Sequence, residues 1–270
     1  MLNRRITRCI FNTTEVTESL STPDLVQYGF AMTTADSFYV GFHGKFASRY
    51  IQVHTANTNS SVMTVEYWDG SLWQDVDDLA DQTSSAGKTF AQSGFISWEN
   101  KDNWTKRSLT GMDSDIQLYW VKITISANLS ATTKLHAVLN LFSDDNMLRV
   151  YAPELLTDTN YLPSGKTNFL QQHMAAKDLV VLRLKTRKWI DDEAQVIDIN
   201  DVSIPAVYAC AWIILAPIAT SDAARGLRDQ MKQNFEDEIS KVNFAVDQNQ
   251  DGVIEENERE QISGFTMERR

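Results

Sequence analysis

The most specific pattern of metal-ligating residues in this sequence is an acidic segment at positions 247–258. Its sequence is Asp-Gln-Asn-Gln-Asp-Gly-Val-Ile-Glu-Glu-Asn-Glu. The segment matches the calcium loop of an EF-hand at every coordinating position, and Gly252 stands where that loop turns sharply. Calcium is a hard cation that prefers oxygen ligands. The predicted ligands are Asp247, Asn249, Asp251, the carbonyl of Val253, Glu255 through a water molecule, and both carboxylate oxygens of Glu258.

The segment contains a single loop of this kind, whereas calcium sensors work with paired loops. We therefore predict a structural calcium ion that fixes the C-terminal segment against the helices before it. The alternative is an acidic surface loop that matches the motif by chance.

No other set of residues predicts an active site. The four histidines are not paired at metal-ligand spacing, and the sequence shows no Ser-His-Asp setting, nucleophile elbow or phosphate-binding loop. They are His43, His54, His136 and His173. We predict that the protein is not an enzyme. A hydrolase remains an alternative, because residues far apart in sequence can meet in space.

Charge and hydropathy exclude two further classes of function. The chain has 36 acidic and 25 basic residues, a formal charge of −11, whereas a protein that grips a phosphate backbone needs a basic face. The longest apolar run, residues 206–219, is shorter than the roughly 20 residues that span a bilayer. We therefore expect a buried helix there, and no membrane partner.

The first half of the chain must supply a scaffold of strands. Apolar and polar residues alternate in short runs separated by turn residues, and Asp69-Gly70 marks a hairpin. Predicted strands cover residues 38–42, 50–55, 62–68, 95–98, 118–126 and 135–142. We predict an antiparallel, jelly-roll-like β-sandwich over residues 28–150. Residues 1–27 before it form either an N-terminal arm or edge strand, or a frayed terminus. The polar segment 77–94 is interpreted as a solvated loop, with ion binding as the alternative.

Five tryptophans of this half allow two interpretations. They are Trp68, Trp73, Trp98, Trp104 and Trp120. Most lie on the alternating apolar face or beside turns, which favours a place in the core of the sandwich. Exposed aromatic side chains would instead favour a glycan-binding face.

The second half has helical spacing. A linker at 151–163 leads to a predicted α-helical bundle over 164–246, followed by the EF-hand-like loop and tail at 247–270. Helices are predicted at 166–188, at 206–219 with Ser203 as N-cap, and from Ser221 or Asp222 to about residue 243. The predicted fold class is thus α+β, with the sandwich first and the helical bundle second.

Stretches of both halves resemble tailed-phage virion proteins. The first half is similar to a β-sandwich module of such proteins in four places, namely Phe38-Tyr-Val-Gly-Phe42, Val65-Glu-Tyr-Trp-Asp-Gly70 with Trp73, Ser93-Gly-Phe-Ile-Ser-Trp98 with Trp104, and Tyr119-Trp-Val-Lys-Ile-Thr124. Residues 161–260 resemble head-to-tail connector, or adaptor, proteins. The stretches that carry this second resemblance are Ala175-Ala-Lys-Asp-Leu179, residues 206–215 and the acidic loop.

This resemblance implies a structural virion protein of the neck, assembled in the host cytoplasm. The helical half would form a homo-oligomeric ring, dodecameric in a connector, on the portal protein and would extend the channel. DNA would pass through that channel without sequence-specific binding. The sandwich would contact other neck, tail or capsid proteins, and the basic segment 177–188 would either dock on the portal or form a solvated helix face. The second hypothesis is a capsid decoration, fibre or tail protein whose sandwich binds a glycan or a partner.

Overall fold

The computed structural model describes residues 7–24, 26–110, 116–157, 161–163 and 165–242. The chain divides into two compact units, Met1–Asn140 and Leu141–Arg270. The described strands lie in the first unit, and the longer described helices lie in the second. The predicted α+β class, with antiparallel strands followed by helices, is confirmed.

Among the described residues of the first unit, eleven strands form two antiparallel sheets. The strands are β1 Arg8–Phe11, β2 Thr14–Glu15, β3 Tyr28–Gly29, β4 Phe38–Phe42, β5 Ser48–Thr55, β6 Met63–Trp68, β7 Trp73–Asp75, β8 Asp77–Asp81, β9 Gly94–Glu99, β10 Tyr119–Ile125 and β11 Lys134–Leu139. The order in the first sheet is β2-β1-β4-β10-β6-β7, and in the second sheet it is β3-β11-β5-β9-β8. A short helix, α1 (Thr17–Leu20), follows β2.

The alternation in the sequence explains the central strands. In β6, Met63, Val65 and Tyr67 are buried on one face, while Thr64 is exposed on the other. The predicted Asp-Gly hairpin is also present, since β6 pairs antiparallel with β7 and Trp68 lies opposite Trp73. One side of each central strand therefore contributes to a core.

Strands also form in the N-terminal segment and in the segment 77–94. Residues 1–27, interpreted as an arm or edge strand, include β1, which pairs with β4 along its length. The segment 77–94, predicted as a solvated loop, begins with β8, which pairs with β9 through a register irregularity. The strand β8 is a mostly polar edge strand, and such strands lack the apolar alternation by which strands are recognised in a sequence.

The second unit is helical. Its elements are α2 Asp145–Tyr151, α3 Glu154–Thr157, α4 Leu170–Thr186, α5 Asn200–Leu215 and α6 Asp222–Lys241, with a 3-10 turn at Glu193–Gln195 between α4 and α5. The predicted boundary segment 151–163 includes α3, which belongs to this unit.

The helix α5 lies at the centre of the helical core. From Ile204 to Leu215 it is apolar on every side, and buried residues of α2, α4 and α6 join it in one continuous cluster. The helix α6 contributes a single stripe, Met231, Phe235 and Ile239, and the ring of Phe235 stacks on Trp212 of α5. A helix that is apolar all round is stable in water only when its neighbours cover it, as they do here.

Helix ends agree with the predictions in one case and differ in another. The side chain of Ser221 accepts the N–H of Ala224 and caps α6, as predicted. The helix α5, however, begins at Asn200, so Ser203 is not its N-cap and Pro205 lies inside its first turns. Pro205 is the sixth residue of α5, so its ring removes the N–H that would have bonded the carbonyl oxygen of Asp201.

Among the described helices, none has both the length and the apolar character needed to cross a bilayer.

Candidate functional site

The predicted calcium ligands Asp247, Asn249, Asp251, Val253, Glu255 and Glu258 lie outside the described residues. The described chain reaches this segment through α6, which ends at Lys241 and is followed by the buried Val242. Across the ranges that the structure describes, no three or more His, Cys, Asp or Glu side chains are grouped so that they could hold a metal ion.

Among the described residues, three side chains of types used in catalysis form a buried series of hydrogen bonds in the helical unit. Ser143 precedes α2, Asp145 is in the first turn of α2, and His173 is in the first turn of α4. The Oγ atom of Ser143 lies 2.8 Å from Nδ1 of His173, and Nε2 of His173 lies 3.1 Å from Oδ1 of Asp145. These are the three residue types of a serine hydrolase triad, with His173 in contact with each of the other two.

Elementary hydrogen bonding orients this chain. An ionised carboxylate can only accept, so Nε2 of His173 donates to Asp145. In the neutral imidazole, Nδ1 then accepts the hydroxyl proton of Ser143. Asp145 also accepts the backbone N–H of Phe169, at 3.3 Å, and thereby holds the start of α4. The three side chains link the segment before α2 to α4.

Burial decides what this chain of hydrogen bonds does. Ser143 is 0% exposed and His173 is 1% exposed, so a substrate has no path to the serine hydroxyl in this conformation. Cys210 of α5 is also fully buried, and its thiol pKa is raised well above the ordinary value by burial and, secondarily, by the charge of Asp145. A thiol with a raised pKa stays protonated and is a poor nucleophile. The arrangement therefore satisfies buried polar groups and positions helices.

The basic segment 177–188 is largely engaged within its own unit. Lys177 binds Glu193 at 3.1 Å and Asp178 at 2.9 Å. Arg183 forms an ion pair with Glu236 of α6, and Arg187 donates to the carbonyl of Ile239 at 2.8 Å. These three cations hold α6 and the 3-10 turn against α4 and are not available as a free basic patch.

The aromatic residues of the first unit fall into two groups. Trp98, Trp104 and Trp120 are buried, as the core interpretation predicts. Trp68 and Trp73 are half-buried, and their rings meet edge to face at 5.6 Å between centroids. The sequence alone does not distinguish the buried tryptophans from the half-buried ones, because both groups include residues of strands in which apolar and polar residues alternate.

The half-buried tryptophans belong to a polar face of the first sheet. The guanidinium of Arg107 lies 3.9 Å from the Trp68 ring centroid, and the ring of Tyr39 lies 5.6 Å from that of Trp73. Beside them, Lys122 forms an ion pair of 2.7 Å with Glu66 on the neighbouring strand. We call Tyr39, Trp68, Trp73 and Arg107 the aromatic face. It combines flat apolar rings with a cation, which are the groups that recognise sugars or extended peptides.

Two histidines that are far apart in the sequence also meet in the second sheet. His54 of β5 and His136 of β11 have ring centroids 4.5 Å apart, and Nδ1 of His136 lies 2.8 Å from the carbonyl oxygen of Val26. The pKa of His54 is lowered by partial desolvation first, and then by the charges of His136 and Lys134. Sequence spacing did not reveal this pair, because only the pairing of β5 with β11 brings the two residues together.

The sequence matches no protein-family model and no curated protein. Functional conclusions therefore depend on the geometry of the chain itself.

Proposed function

We propose that this chain is a non-catalytic structural protein of a tailed-phage virion, a head-to-tail connector of the neck. In this proposal the helical unit packs as a small bundle and forms a homo-oligomeric ring on the portal protein. The strand unit is a β-sandwich that contacts neighbouring neck, tail or capsid proteins. The chain acts in the virion after assembly in the host cytoplasm.

The continuous core around α5 is the observation that carries the proposal. A small helical unit closed by α2, α4 and α6 suits a connector, whose role is to pack rather than to react. The buried state of Ser143 and His173 agrees with a role in packing, since both groups are satisfied within the unit. Aromatic contacts such as Phe30 with Phe38, at 5.0 Å between centroids, favour a sandwich in the first unit.

A smaller docking face remains on α4 after the internal ion pairs are formed. Leu182 is 59% exposed, and Lys185 follows it by three residues, so both side chains lie on one side of the helix. Lys185 makes no ion pair within the part of the chain that the structure describes. We propose that Leu182 and Lys185, rather than the whole segment 177–188, contact the portal protein.

Quantitative mass spectrometry of particles purified from the source tests this function. We expect a copy number close to that of the portal protein and far below that of the major shell protein. A copy number near that of the shell protein would contradict the connector and favour decoration of the capsid. Absence of the chain from particles would contradict every virion role.

A double variant, Leu182→Glu with Lys185→Glu, tests the docking face. We expect it to fold and to be lost from particles when it replaces the natural chain in an infection. The matched control is Val150→Glu, which changes another exposed apolar residue of the same unit, 73% exposed in α2. Equal incorporation of both variants would refute the docking face without refuting the connector.

The aromatic face favours a second function, a decoration, fibre or tail protein whose sandwich binds a glycan or a partner. Stacking of a sugar on Trp73 would change tryptophan fluorescence, and Trp73→Ala would remove that response. Trp104→Phe, a change in a buried tryptophan, is the control. A panel of bacterial surface oligosaccharides that leaves the fluorescence of the natural protein unchanged would remove the glycan form of this function.

A further inference from the structure

The pairing of β5 with β11 is irregular at the two histidines. Lys134 lies opposite Thr55, Leu135 opposite Val53, and Ala137 opposite Gln52. The register therefore omits His54 on β5 and then His136 on β11. Each histidine is the extra residue of a local irregularity, and such bulges turn a side chain away from the direction that regular pleating would give it.

The result is a close pair of imidazole rings at the surface of the second sheet. His54 is exposed and His136 is half-buried, with ring centroids 4.5 Å apart and ring planes inclined by 61°. Two imidazoles on one tetrahedral zinc ion would have centroids about 5 Å apart, given a zinc–nitrogen distance of about 2.0 Å. The observed separation of 4.5 Å is about 0.5 Å short of that spacing.

The contact between His136 and Val26 assigns the ligand atom. A carbonyl oxygen can only accept, so Nδ1 of His136 carries the proton and donates to Val26 across 2.8 Å. In the neutral ring, Nε2 then keeps its lone pair. A metal-binding histidine commonly has this arrangement, with the other ring nitrogen donating to a carbonyl group that fixes the tautomer and the ring orientation.

We propose that His54 and His136 form a surface site for a divalent transition metal of the zinc class, with Nε2 of His136 and one ring nitrogen of His54 as its protein ligands. Imidazole nitrogen suits zinc, nickel and copper and does not suit calcium or magnesium. Water fills the remaining positions, so the ion exchanges readily. This site shares no residue with the predicted calcium loop and does not depend on the connector proposal.

Zinc titration of the full chain by isothermal calorimetry, in excess calcium, tests the site. Calcium occupies oxygen-donor sites first, so that they do not contribute to the zinc isotherm. We expect the natural protein to bind zinc. Each of the variants His54→Gln and His136→Gln should bind zinc at least about tenfold more weakly, because loss of a residue that only hydrogen-bonds to a metal ligand already lowers metal affinity by about that factor. Combining the two changes should add little to either one.

His43→Gln is the matched control, because it removes a histidine of the same unit that lies outside the pair. Its zinc isotherm should equal that of the natural protein. Lys134→Gln, which removes the cation near His54, should keep or strengthen zinc binding. His54→Gln is the safer test of the two ligands, since His54 is exposed, and circular dichroism without metal checks that each variant is folded.

Imidazole nitrogen NMR provides a second measurement. Zinc should shift the Nε2 resonance of His136, while Nδ1 of the same ring stays protonated against Val26. Superimposable isotherms for the natural protein, His54→Gln and His136→Gln would overturn the proposal. So would the absence of zinc binding by the natural protein in calcium buffer.

Discussion

Gly41 in β4 has no room for a side chain, and Gly41→Ala is therefore predicted to destabilise the strand unit strongly. Gly41 lies opposite Trp120 of β10. A Cβ atom at this position would lie 2.5 Å from both Cε3 and Cζ3 of the Trp120 ring, about 1 Å closer than an ordinary carbon–carbon contact. Either the ring or the strand must move.

The surroundings of Trp120 determine the cost of that movement. The ring is 0% exposed, and its Nε1 donates to the carbonyl of Arg107 at 2.9 Å. A shift of about 1 Å breaks this hydrogen bond, which contributes about 1 kcal/mol, and overpacking of a core adds about 1–3 kcal/mol. The expected loss is thus about 2–4 kcal/mol in the free energy of unfolding.

Gly29→Ala is the matched control, because Gly29 also lies in a strand but a Cβ there would have nothing within 4 Å. We expect this change to stay within about 1 kcal/mol of the natural protein. Urea denaturation followed by tryptophan fluorescence measures both variants. Hydrogen exchange of peptides from β4 and β10 then assigns the loss to the strand unit, since two units need not unfold as one.

The reasoning is wrong if Gly41→Ala and Gly29→Ala unfold at the same urea concentration. A third variant identifies the ring as the cause. In a Trp120→Leu background, where the large ring is absent, Gly41→Ala should cost clearly less than in the natural background. An unchanged cost would show that Trp120 is not the obstacle.

Three further predictions use other parts of the chain. The Asp69 carboxylate accepts two backbone N–H groups in the β6–β7 turn, which lowers its pKa from 3.8 to about 2. Asp69→Asn should therefore lower the melting temperature at pH 7. The difference in melting temperature between the variant and the natural protein should disappear as the pH falls through 3.8 towards 2. Glu258→Gln should lower the melting temperature in calcium and leave it unchanged in chelator, and equal melting in calcium would exclude the predicted ion. Burial raises the pKa of the Cys9 thiol to about 12 and also raises the pKa of the Cys210 thiol. Ellman's reagent should therefore label neither thiol at pH 8 until denaturant is added. Rapid labelling of the folded protein would contradict the burial of both thiols.

Sequence patterns predicted the elements whose apolar residues recur with a clear period. The strands β4, β5, β6, β9, β10 and β11 and the last three long helices were all located in this way. The strand β8 was missed because Asp77–Asp81 is mostly polar and packs at an edge. The start of α5 was placed too late, because Pro205 looked like the beginning of a helix and lies inside one.

The chemistry of the chain was harder to predict than its elements. Ser143 and His173 are separated in sequence by α2, α3 and the segment before α4, and they meet only because the start of α2 lies beside the start of α4. His54 and His136 meet because two irregularities fall at the same place in one strand pair. Contacts of this kind depend on tertiary packing and register, which local periodicity does not encode.

The apolar stretch Ile204–Leu215 of α5 has a consequence for the synthesis of the protein. During translation α5 leaves the ribosome before α6, so Trp212 and the residues beside it face water until Phe235 and Ile239 have been made. Nascent chains with such exposed surface are prone to aggregate or to bind chaperones. A ribosome that stalls between the two helices would therefore hold a chain with this apolar surface exposed, and its burial depends on completion of α6.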